Sequence, residues 1–214
     1  MNKTQVVERI KAAGLVAVVR AESAAQAFEI TDALLAGGVA AIEITYTVPG
    51  AGEVIRELTK RYADGEILIG AGTVLDPETA RDAILNGAQF VVSPCFNAEM
   101  VRLCNRYRVA VMPGAMTVKE VVECMEAGAD IVKVFPGELF GAKVIKAFRG
   151  PLPQAELMPT GGVTLENVGE WIANGAVAVG VGGQLTAGAR TGDYAAVTAA
   201  ARAFTAKIRE ARGC

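Results

Sequence analysis

The chain has 214 residues, which fits one domain of the larger kind, and its 52% hydrophobic and 21% charged residues make a globular rather than a disordered composition. The net charge of -2 offers no basic surface of the kind that nucleic-acid-binding proteins carry. The chain contains no histidine, which excludes His-based triads and most zinc sites, so acid–base chemistry must come from Lys, Glu, Asp, Tyr or Cys.

Apolar runs and amphipathic stretches alternate along the chain, and glycines or capping residues mark most boundaries between them. An N-terminal helix is predicted at residues 3–13, because Val6, Val7 and Ile10 have helical spacing and Gly14 follows. Buried strands are predicted at 15–19, 39–44, 67–71, 89–92, 109–112, 130–137, 156–158 and 176–181. Helices are predicted at 23–36, 50–62, 76–86, 97–107, 117–127, 141–148, 164–174 and 193–210, with N-caps at Ser23, Asp76 and Thr117.

Eight buried strands, each followed by a helix or by a turn that starts one, indicate βαβ units and a parallel sheet covered by helices. Eight such units in about 200–250 residues point to an α/β fold of the (β/α)8 TIM-barrel type with an extra N-terminal helix, formed by residues 1–214 as a single domain. The alternative is an open doubly wound sheet. Closure is favoured because no GxGxxG follows the first strand and the eight units are of even size.

Lys133 and Glu43 are the two ionisable residues inside otherwise apolar predicted strands. Because side chains alternate along a strand, the odd-numbered residues of 131–135 and of 41–45 are expected to face the barrel axis and the even-numbered ones the helices. Both charges would then share one interior. One interpretation is a structural ion pair that fills the barrel. The other, which we favour, is a nucleophilic Schiff-base lysine with a carboxylate as proton shuttle, since burial favours the neutral amine.

Polar residues and glycines collect at the C-terminal ends of the predicted strands, where barrel enzymes have their sites. Thr160-Gly161-Gly162 and Gly182-Gly183 follow the seventh and eighth strands, where barrels often hold a phosphate on backbone N–H groups. Arg20 ends the first strand and could bind a carboxylate or simply be a surface arginine. Thr73 and Thr160 could donate hydroxyl hydrogen bonds, and Thr160 could equally be a turn residue.

The four cysteines, Cys95, Cys104, Cys124 and Cys214, stand singly with no CxxC spacing. The sequence also shows no signal-peptide pattern, so we expect reduced thiols in a cytoplasmic protein. No apolar run approaches the ~20 residues that a membrane span needs, so we expect no membrane partner.

A set of short motifs, distributed over essentially the whole chain, is specific in combination although no single one is. These motifs are Val18-Val19-Arg20, Gly37-Gly38-Val39, Ile42-Glu43-Ile44-Thr45, Gly70-Ala71-Gly72-Thr73-Val74, Val92-Ser93-Pro94, Met112-Pro113-Gly114, Lys133-Val134-Phe135-Pro136-Gly137, Pro159-Thr160-Gly161-Gly162-Val163 and Gly180-Val181-Gly182. In these motifs the chain resembles the KDPG/KHG aldolases, the 2-keto-3-deoxy-6-phosphogluconate and 4-hydroxy-2-oxoglutarate aldolases of class I.

The resemblance implies reversible cleavage of 2-keto-3-deoxy-6-phosphogluconate to pyruvate and glyceraldehyde 3-phosphate in the Entner–Doudoroff pathway. It implies a homotrimer that works on a small-molecule substrate without metal or cofactor. Lys133 would form the Schiff base with pyruvate, and Glu43 would move protons through a water molecule. The remaining implied substrate-binding residues surround the pyruvate or the phosphate: Thr45, Thr73, Pro94, Phe135, Thr160, Gly161, Gly162, Gly182 and Gly183.

The chain departs from the family pattern at two positions. Some members have an arginine where Thr47 stands, and here we expect Arg20 to make that contact with an anion instead. Members often have a serine where Gly183 stands, so one hydroxyl donor to a phosphate is missing. Two alternatives stay open: a sister aldolase acting on 4-hydroxy-2-oxoglutarate or 2-keto-3-deoxy-6-phosphogalactonate, and a non-catalytic barrel that serves as an assembly scaffold.

Overall fold

The computed structural model describes residues 1–213, and Cys214 lies outside the described residues. Its strand segments are Leu15–Val19 (β1), Ala41–Thr45 (β2), Leu68–Gly72 (β3), Phe90–Val92 (β4), Ala110–Met112 (β5), Gly114–Ala115 (β6), Val132–Val134 (β7), Leu157–Pro159 (β8) and Val179–Val181 (β9). Its α-helices are Lys3–Ala13 (α1), Ala24–Ala36 (α2), Ala51–Arg61 (α3), Pro77–Leu85 (α4), Ala98–Tyr107 (α5), Val118–Glu126 (α6), Lys143–Arg149 (α7), Val168–Ala173 (α8) and Tyr194–Arg212 (α9). Short 3₁₀ turns occupy Gly137–Leu139 and Ala187–Thr191.

All strand pairs are parallel, which confirms the predicted α/β fold with a curled parallel sheet. Six strands form one sheet in the order β5-β4-β3-β2-β1-β9, and β6, β7 and β8 form a second. The sequential order from β1 to β5 differs from a doubly wound sheet, in which the order reverses at an inner strand. The fifth strand, predicted at 109–112, is observed as β5, and the short β6 after Pro113 was not predicted. Pro113 separates the two segments because proline has no N–H to donate to a ladder.

The apolar residues form two separate cores, one between the strands and the helices and one enclosed by the strands. Ile42, Ile44, Val132 and Val134 belong to the outer core, whereas Ala41 and Ile131 belong to the inner one. The predicted alternation along β2 and β7 is therefore confirmed, and Glu43 and Lys133 are on strand faces directed to the interior.

Helix α1 covers the amino-terminal end of the inner core. Its buried residues Val6 and Ile10 pack with Val16, Phe90 and Met112, which come from β1, β4 and β5. The capping box that starts this helix, formed by Asn2 and Gln5, was not predicted. Among the described residues, apolar side chains thus fill the amino-terminal end of the interior, and Glu43 and Lys133 lie further toward the C-terminal ends of the strands.

The predicted boundaries are correct to within a few residues for most elements. The predicted N-caps at Ser23, Asp76 and Thr117 all accept a backbone hydrogen bond. The largest error is the helix predicted at 164–174, of which only Val168–Ala173 is helical. Thr164 and Asn167 bond reciprocally through side chain and backbone, at 2.8 and 3.3 Å, in the geometry of a capping box, and the residues at 165–167 form a turn before the helix.

Two expectations from composition can be compared with the structure. Cys95, Cys104 and Cys124 are free thiols, and burial raises the pKa of the Cys104 and Cys124 thiols to about 12. The expectation for Cys214 falls outside the described residues. Within residues 1–213, no helix combines the length and the apolar character needed to cross a membrane.

Candidate active site

Lys133 and Glu43 meet in the interior although they lie on strands that are not neighbours. Lys133 is the middle residue of β7 and Glu43 the middle residue of β2. The ammonium Nζ lies 3.7 Å from Glu43 Oε1, and the two side chains are only 6% and 1% exposed. The sequence-based expectation that one interior holds both charges is thus met by a close, almost fully buried ion pair.

The Lys133–Glu43 pair has unused hydrogen-bonding capacity. Neither carboxylate oxygen of Glu43 has a hydrogen-bond partner among the described residues. Burial raises the pKa of Glu43, and the charges of Lys133 and Arg20 oppose that rise. A structural ion pair in a core is normally satisfied by further hydrogen bonds, because an unbonded buried charge is costly. The absence of hydrogen bonds to the Glu43 carboxylate from the described residues therefore favours the catalytic interpretation over the structural one.

Two glycines that sequence reasoning missed make room for these polar side chains. A Cβ added to Gly72 would lie 2.8 Å from Glu43 Cδ, and a Cβ added to Gly180 would overlap Thr160 Oγ1. Neither glycine has a positive φ, so only the close approach requires them. The available signal was a glycine inside a buried strand at a position that faces the interior, which often marks such an approach.

Phe135 lies close to the Lys133 ammonium, and Thr160 follows the neighbouring strand β8. The Lys133 Nζ atom is 5.3 Å from the centre of the Phe135 ring. The Thr160 hydroxyl is buried and, like the Glu43 oxygens, has no hydrogen-bond partner among the described residues. Besides the Glu43 carboxylate, the described residues therefore include one buried hydroxyl that is free to bind a ligand.

A cavity of about 440 Å³ lies at the C-terminal ends of the strands, with Phe135 and Thr160 on its wall, whereas Lys133 and Glu43 are not among the residues that line it. Seven of the residues singled out in the sequence form part of its wall: Arg20, Phe135, Thr160, Gly161, Gly162, Gly182 and Gly183. The structure thus brings together residues that are spread over the chain from position 20 to position 183. Arg20 is exposed and lies on the wall of this cavity.

The glycine loops present unused backbone donors to this cavity. Among the described residues, the N–H groups of Gly161, Gly162 and Gly183 donate to no protein acceptor. Gly161 and Gly162 have φ values of +92° and +68°, which side chains rarely adopt. Successive free N–H groups of this kind are typical of anion sites. Glu138 packs against Gly161 and Gly162, so a carboxylate also borders the cradle.

The remaining predicted site residues lie outside the wall of this cavity. The hydroxyl of Thr45 donates to Val19 O at 3.1 Å and lies 2.7 Å from the Thr47 hydroxyl, so it joins the ends of β1 and β2. Thr73 follows β3 with a φ of +58°. Pro94 follows β4, and its carbonyl group lies against Gly114, so closely that a Cβ at position 114 would overlap it. Gly114 pairs with Lys133 in the sheet.

The sequence is similar to known aldolases over most of its length. Residues 6–200 match the family described as KDPG and KHG aldolase. The chain is 36% identical to the 2-dehydro-3-deoxy-phosphogluconate aldolase of Treponema pallidum (strain Nichols), over 91% of this chain and 92% of that protein. It is 35% identical to the 2-dehydro-3-deoxy-6-phosphogalactonate aldolase of Escherichia coli (strain K12), over 92% of this chain and 95% of that protein.

Solved structures agree with the sequence comparison. The KDPG aldolase of Legionella pneumophila, with pyruvate captured as a covalent carbinolamine intermediate, has a TM-score of 0.87 at 28% identity and covers 94% of this chain and 98% of its own. A cube-shaped protein cage designed by fusing symmetric oligomeric domains has a TM-score of 0.87 at 34% identity, covering 94% of this chain and 73% of its own.

Proposed function

We propose, from the premise that this chain belongs to the KDPG and KHG aldolase family, that it is a class I aldolase. The observation that carries the proposal is the buried pair of Lys133 and Glu43, 3.7 Å apart, with both carboxylate oxygens free of hydrogen bonds. The structure of the Legionella relative, in which pyruvate is held covalently as a carbinolamine, supports the same chemistry.

In the first steps Lys133 acts as a nucleophile and forms an iminium with the keto acid. Glu43 Oε1 lies 3.7 Å from the Lys133 ammonium and is the base that can accept its proton, which leaves Lys133 as a neutral amine. The amine attacks the C2 carbonyl of the keto acid and forms a carbinolamine. Glu43 then gives the proton to the departing hydroxyl group, so that water leaves, an iminium forms and Glu43 is again a carboxylate. We propose that the hydroxyl of Thr160, which has no hydrogen-bond partner among the described residues, donates a hydrogen bond to the bound keto acid.

The iminium then accepts the electron pair of the bond that breaks. Glu43 removes the proton of the C4 hydroxyl, the C3–C4 bond breaks, and its electrons move into the iminium to form an enamine while the aldehyde leaves. Protonation of C3 by the same carboxyl group restores the iminium. Water hydrolyses it, which releases pyruvate and regenerates Lys133.

The proposed substrate is 2-keto-3-deoxy-6-phosphogluconate, with glyceraldehyde 3-phosphate as the second product. The free N–H groups of Gly161, Gly162 and Gly183 and the guanidinium of Arg20 support a terminal phosphate on the aldehyde half. 2-Keto-3-deoxy-6-phosphogalactonate is a second candidate, because the phosphogalactonate aldolase relative is 35% identical and the phosphogluconate one 36%. We propose that Thr73 and Pro94 complete the pyruvate side.

We further propose that the two sheets close into one (β/α)8 barrel that comprises residues 1–214 as a single domain. Two contacts at the sheet edges support closure: a parallel bridge between Thr160 and Gly180, and a 3.0 Å hydrogen bond from Val177 N to Leu157 O. At the other junction, β5 continues into β6 through Pro113 alone. An enclosed inner core supports the same arrangement, because β1 to β5, β8 and the residues just before β7 and β9 all contribute to it.

We propose a homotrimer in the cytoplasm. The use of a related chain as a symmetric oligomeric domain supports assembly. So does a group of exposed apolar side chains after β6 and β7, consisting of Met116, Val118, Leu139 and Phe140. Size-exclusion chromatography with light scattering should give three chains per particle, and Leu139→Asp should reduce that number.

Borohydride trapping tests the proposed chemistry. Incubation with pyruvate and borohydride should add one reduced pyruvate to the chain, and mass spectrometry should locate it on Lys133. Lys133→Ala should lose the adduct, while Lys143→Ala, a change of an exposed lysine in α7, should keep it. No adduct on the wild-type chain, or one that persists in Lys133→Ala, would refute the aldolase assignment. The absence of an adduct would favour the non-catalytic scaffold.

A further inference from the structure

A second, larger cleft of about 700 Å³ lies beside the cavity above Lys133. Its walls come from the segment after β1 and from the 3₁₀ turn Ala187–Thr191 that precedes α9. The cleft and the cavity share Arg20, Gly183 and Gln184 on their walls, so the two spaces adjoin at these residues. None of the roles described so far uses the larger cleft.

Gly183 leaves the junction between the cavity and the cleft open. A Cβ added to Gly183 would meet no atom within 4 Å, which means that its side-chain position points into free space. Any larger residue at this position would project into that space. Glycine at position 183 therefore has two effects. It provides no hydroxyl donor beside the N–H groups of Gly161 and Gly162, and it leaves the space between the cavity and the cleft unobstructed.

The larger cleft carries two arginines that no described carboxylate pairs directly, although the charge of Arg20 acts on Glu43 at a distance. Neither Arg20 nor Arg190 makes a hydrogen bond or an ion pair with another described residue. Glu22 is the one carboxylate among the residues that form the cleft wall, so the three charged side chains leave an excess positive charge of one. Arginine is suited to binding phosphate or carboxylate, because its planar fork can donate two parallel hydrogen bonds.

A hydrogen bond from Gln26 connects the two walls of the cleft. The side chain of Gln26 accepts from Glu22 N at 2.8 Å within its own wall and donates to Ala189 O at 3.1 Å in the other. The second bond joins the start of α2 to the turn that carries Arg190. Because the residue adjacent to Arg190 is anchored, the guanidinium extends from a fixed backbone, which lowers the entropic cost of binding a ligand.

We propose that this cleft binds the terminal anionic group of substrates whose aldehyde half is longer than three carbons, with Arg190 as the specificity-determining residue and Arg20 as its partner. The proposal rests on the aldolase function proposed above. A short aldehyde phosphate ends at Gly161, Gly162 and Gly183, whereas a longer one passes Gly183 and reaches Arg190. The recognised group is an anion, either phosphate or carboxylate.

The test compares aldehydes in the condensation with pyruvate. The series consists of D-glyceraldehyde, glyceraldehyde 3-phosphate, erythrose 4-phosphate and succinate semialdehyde, measured with the wild-type chain, Arg190→Ala and Arg190→Lys. Arg190→Ala should lower kcat/KM for erythrose 4-phosphate by at least about tenfold, the value expected for a lost charge-assisted contact, and leave D-glyceraldehyde within about twofold. Arg190→Lys should recover part of the loss. Arg102→Ala, a change of an exposed arginine on α5, is the matched control.

The outcomes separate this inference from the proposed function. Failure of pyruvate trapping in the wild-type chain overturns the aldolase assignment itself. Arg190→Ala should still trap pyruvate on Lys133, because Arg190 has no role in forming the Schiff base. With trapping intact, no wild-type turnover of erythrose 4-phosphate, or an equal loss for charged and uncharged aldehydes, overturns the role of Arg190. A selective loss for both erythrose 4-phosphate and succinate semialdehyde supports a general anion site. A selective loss for erythrose 4-phosphate alone supports a phosphate site.

Discussion

Replacement of Gly72 by alanine is expected to reduce catalysis far more than it destabilises the fold. Gly72 is the last residue of β3 and is in register with Thr45 of β2, two residues beyond Glu43. Its φ is not in the left-handed region, so an alanine fits the backbone. The new methyl group would instead press on the Glu43 side chain.

The expected size of the effect follows from the distances. The added Cβ would lie 2.8 Å from Glu43 Cδ and 3.0 Å from Oε1. The first distance is about 0.7 Å less than the ~3.5 Å at which carbon atoms make a favourable contact. Glu43 is almost fully buried and must shift by about that amount relative to Lys133. A misplacement of about 1 Å can reduce the rate by roughly 10²-fold.

The stability change should be modest by comparison. Insertion of a methyl group into a packed interior costs about 1–3 kcal/mol. Alanine also lowers the conformational entropy of the unfolded chain, which offsets about 0.4–1 kcal/mol of this packing cost. We therefore expect the free energy of unfolding to fall by about 1–2 kcal/mol, which leaves the chain folded at room temperature.

Two measurements on the same preparation check this prediction. Steady-state release of pyruvate gives kcat and KM, and urea denaturation gives the free energy of unfolding. The matched control is Gly169→Ala in α8, where the new Cβ would make only an ordinary contact, 3.8 Å from Ala211 Cβ. The reasoning is refuted if Gly72→Ala keeps kcat within about threefold of the wild-type value, or if its loss of activity only follows the fraction unfolded.

Three further predictions concern Glu43 and Gly183. Because burial raises the pKa of Glu43, the cleavage rate should rise with pH through a midpoint above the ordinary 4.5. A pH–rate profile of Glu43→Gln should lack this dependence, and its kcat should be lower by ~10²–10⁴-fold. A folded-state pKa above the unfolded one means that the stability contributed by the protonated carboxyl is lost as pH rises through the folded pKa. The free energy of unfolding of Glu43→Gln, measured by urea denaturation at several pH values, should therefore increase relative to that of the wild type as pH rises from about 4.5. If it does not increase, the pKa of Glu43 is not raised by folding. Gly183→Ser, whose Cβ has free space, should lower KM for a phosphorylated substrate by a few-fold through one added hydrogen bond and leave D-glyceraldehyde unchanged.

The order and type of the elements could be predicted because they depend on local patterns. Buried strands appear as short apolar runs, and helix starts appear as capping residues such as Ser23 and Asp76. The largest boundary error lies at Thr164 and Asn167, where a capped turn precedes the helix. The pattern does not show whether the first turn after a cap is α-helical, because that depends on the hydrogen bonds that the backbone makes there.

The sequence by itself determined that Lys133 and Glu43 share one interior, because alternation along a strand assigns each side chain to a face. Only the tertiary structure decided that these side chains lie 3.7 Å apart and without further hydrogen bonds, and that Gly72 and Gly180 make the space for them. It also decided that the Thr45 hydroxyl is engaged by Val19 and that Arg20 and Arg190 line one cleft. The physical reason is that such distances depend on the register and curvature of strands far apart in the chain, which no local pattern encodes.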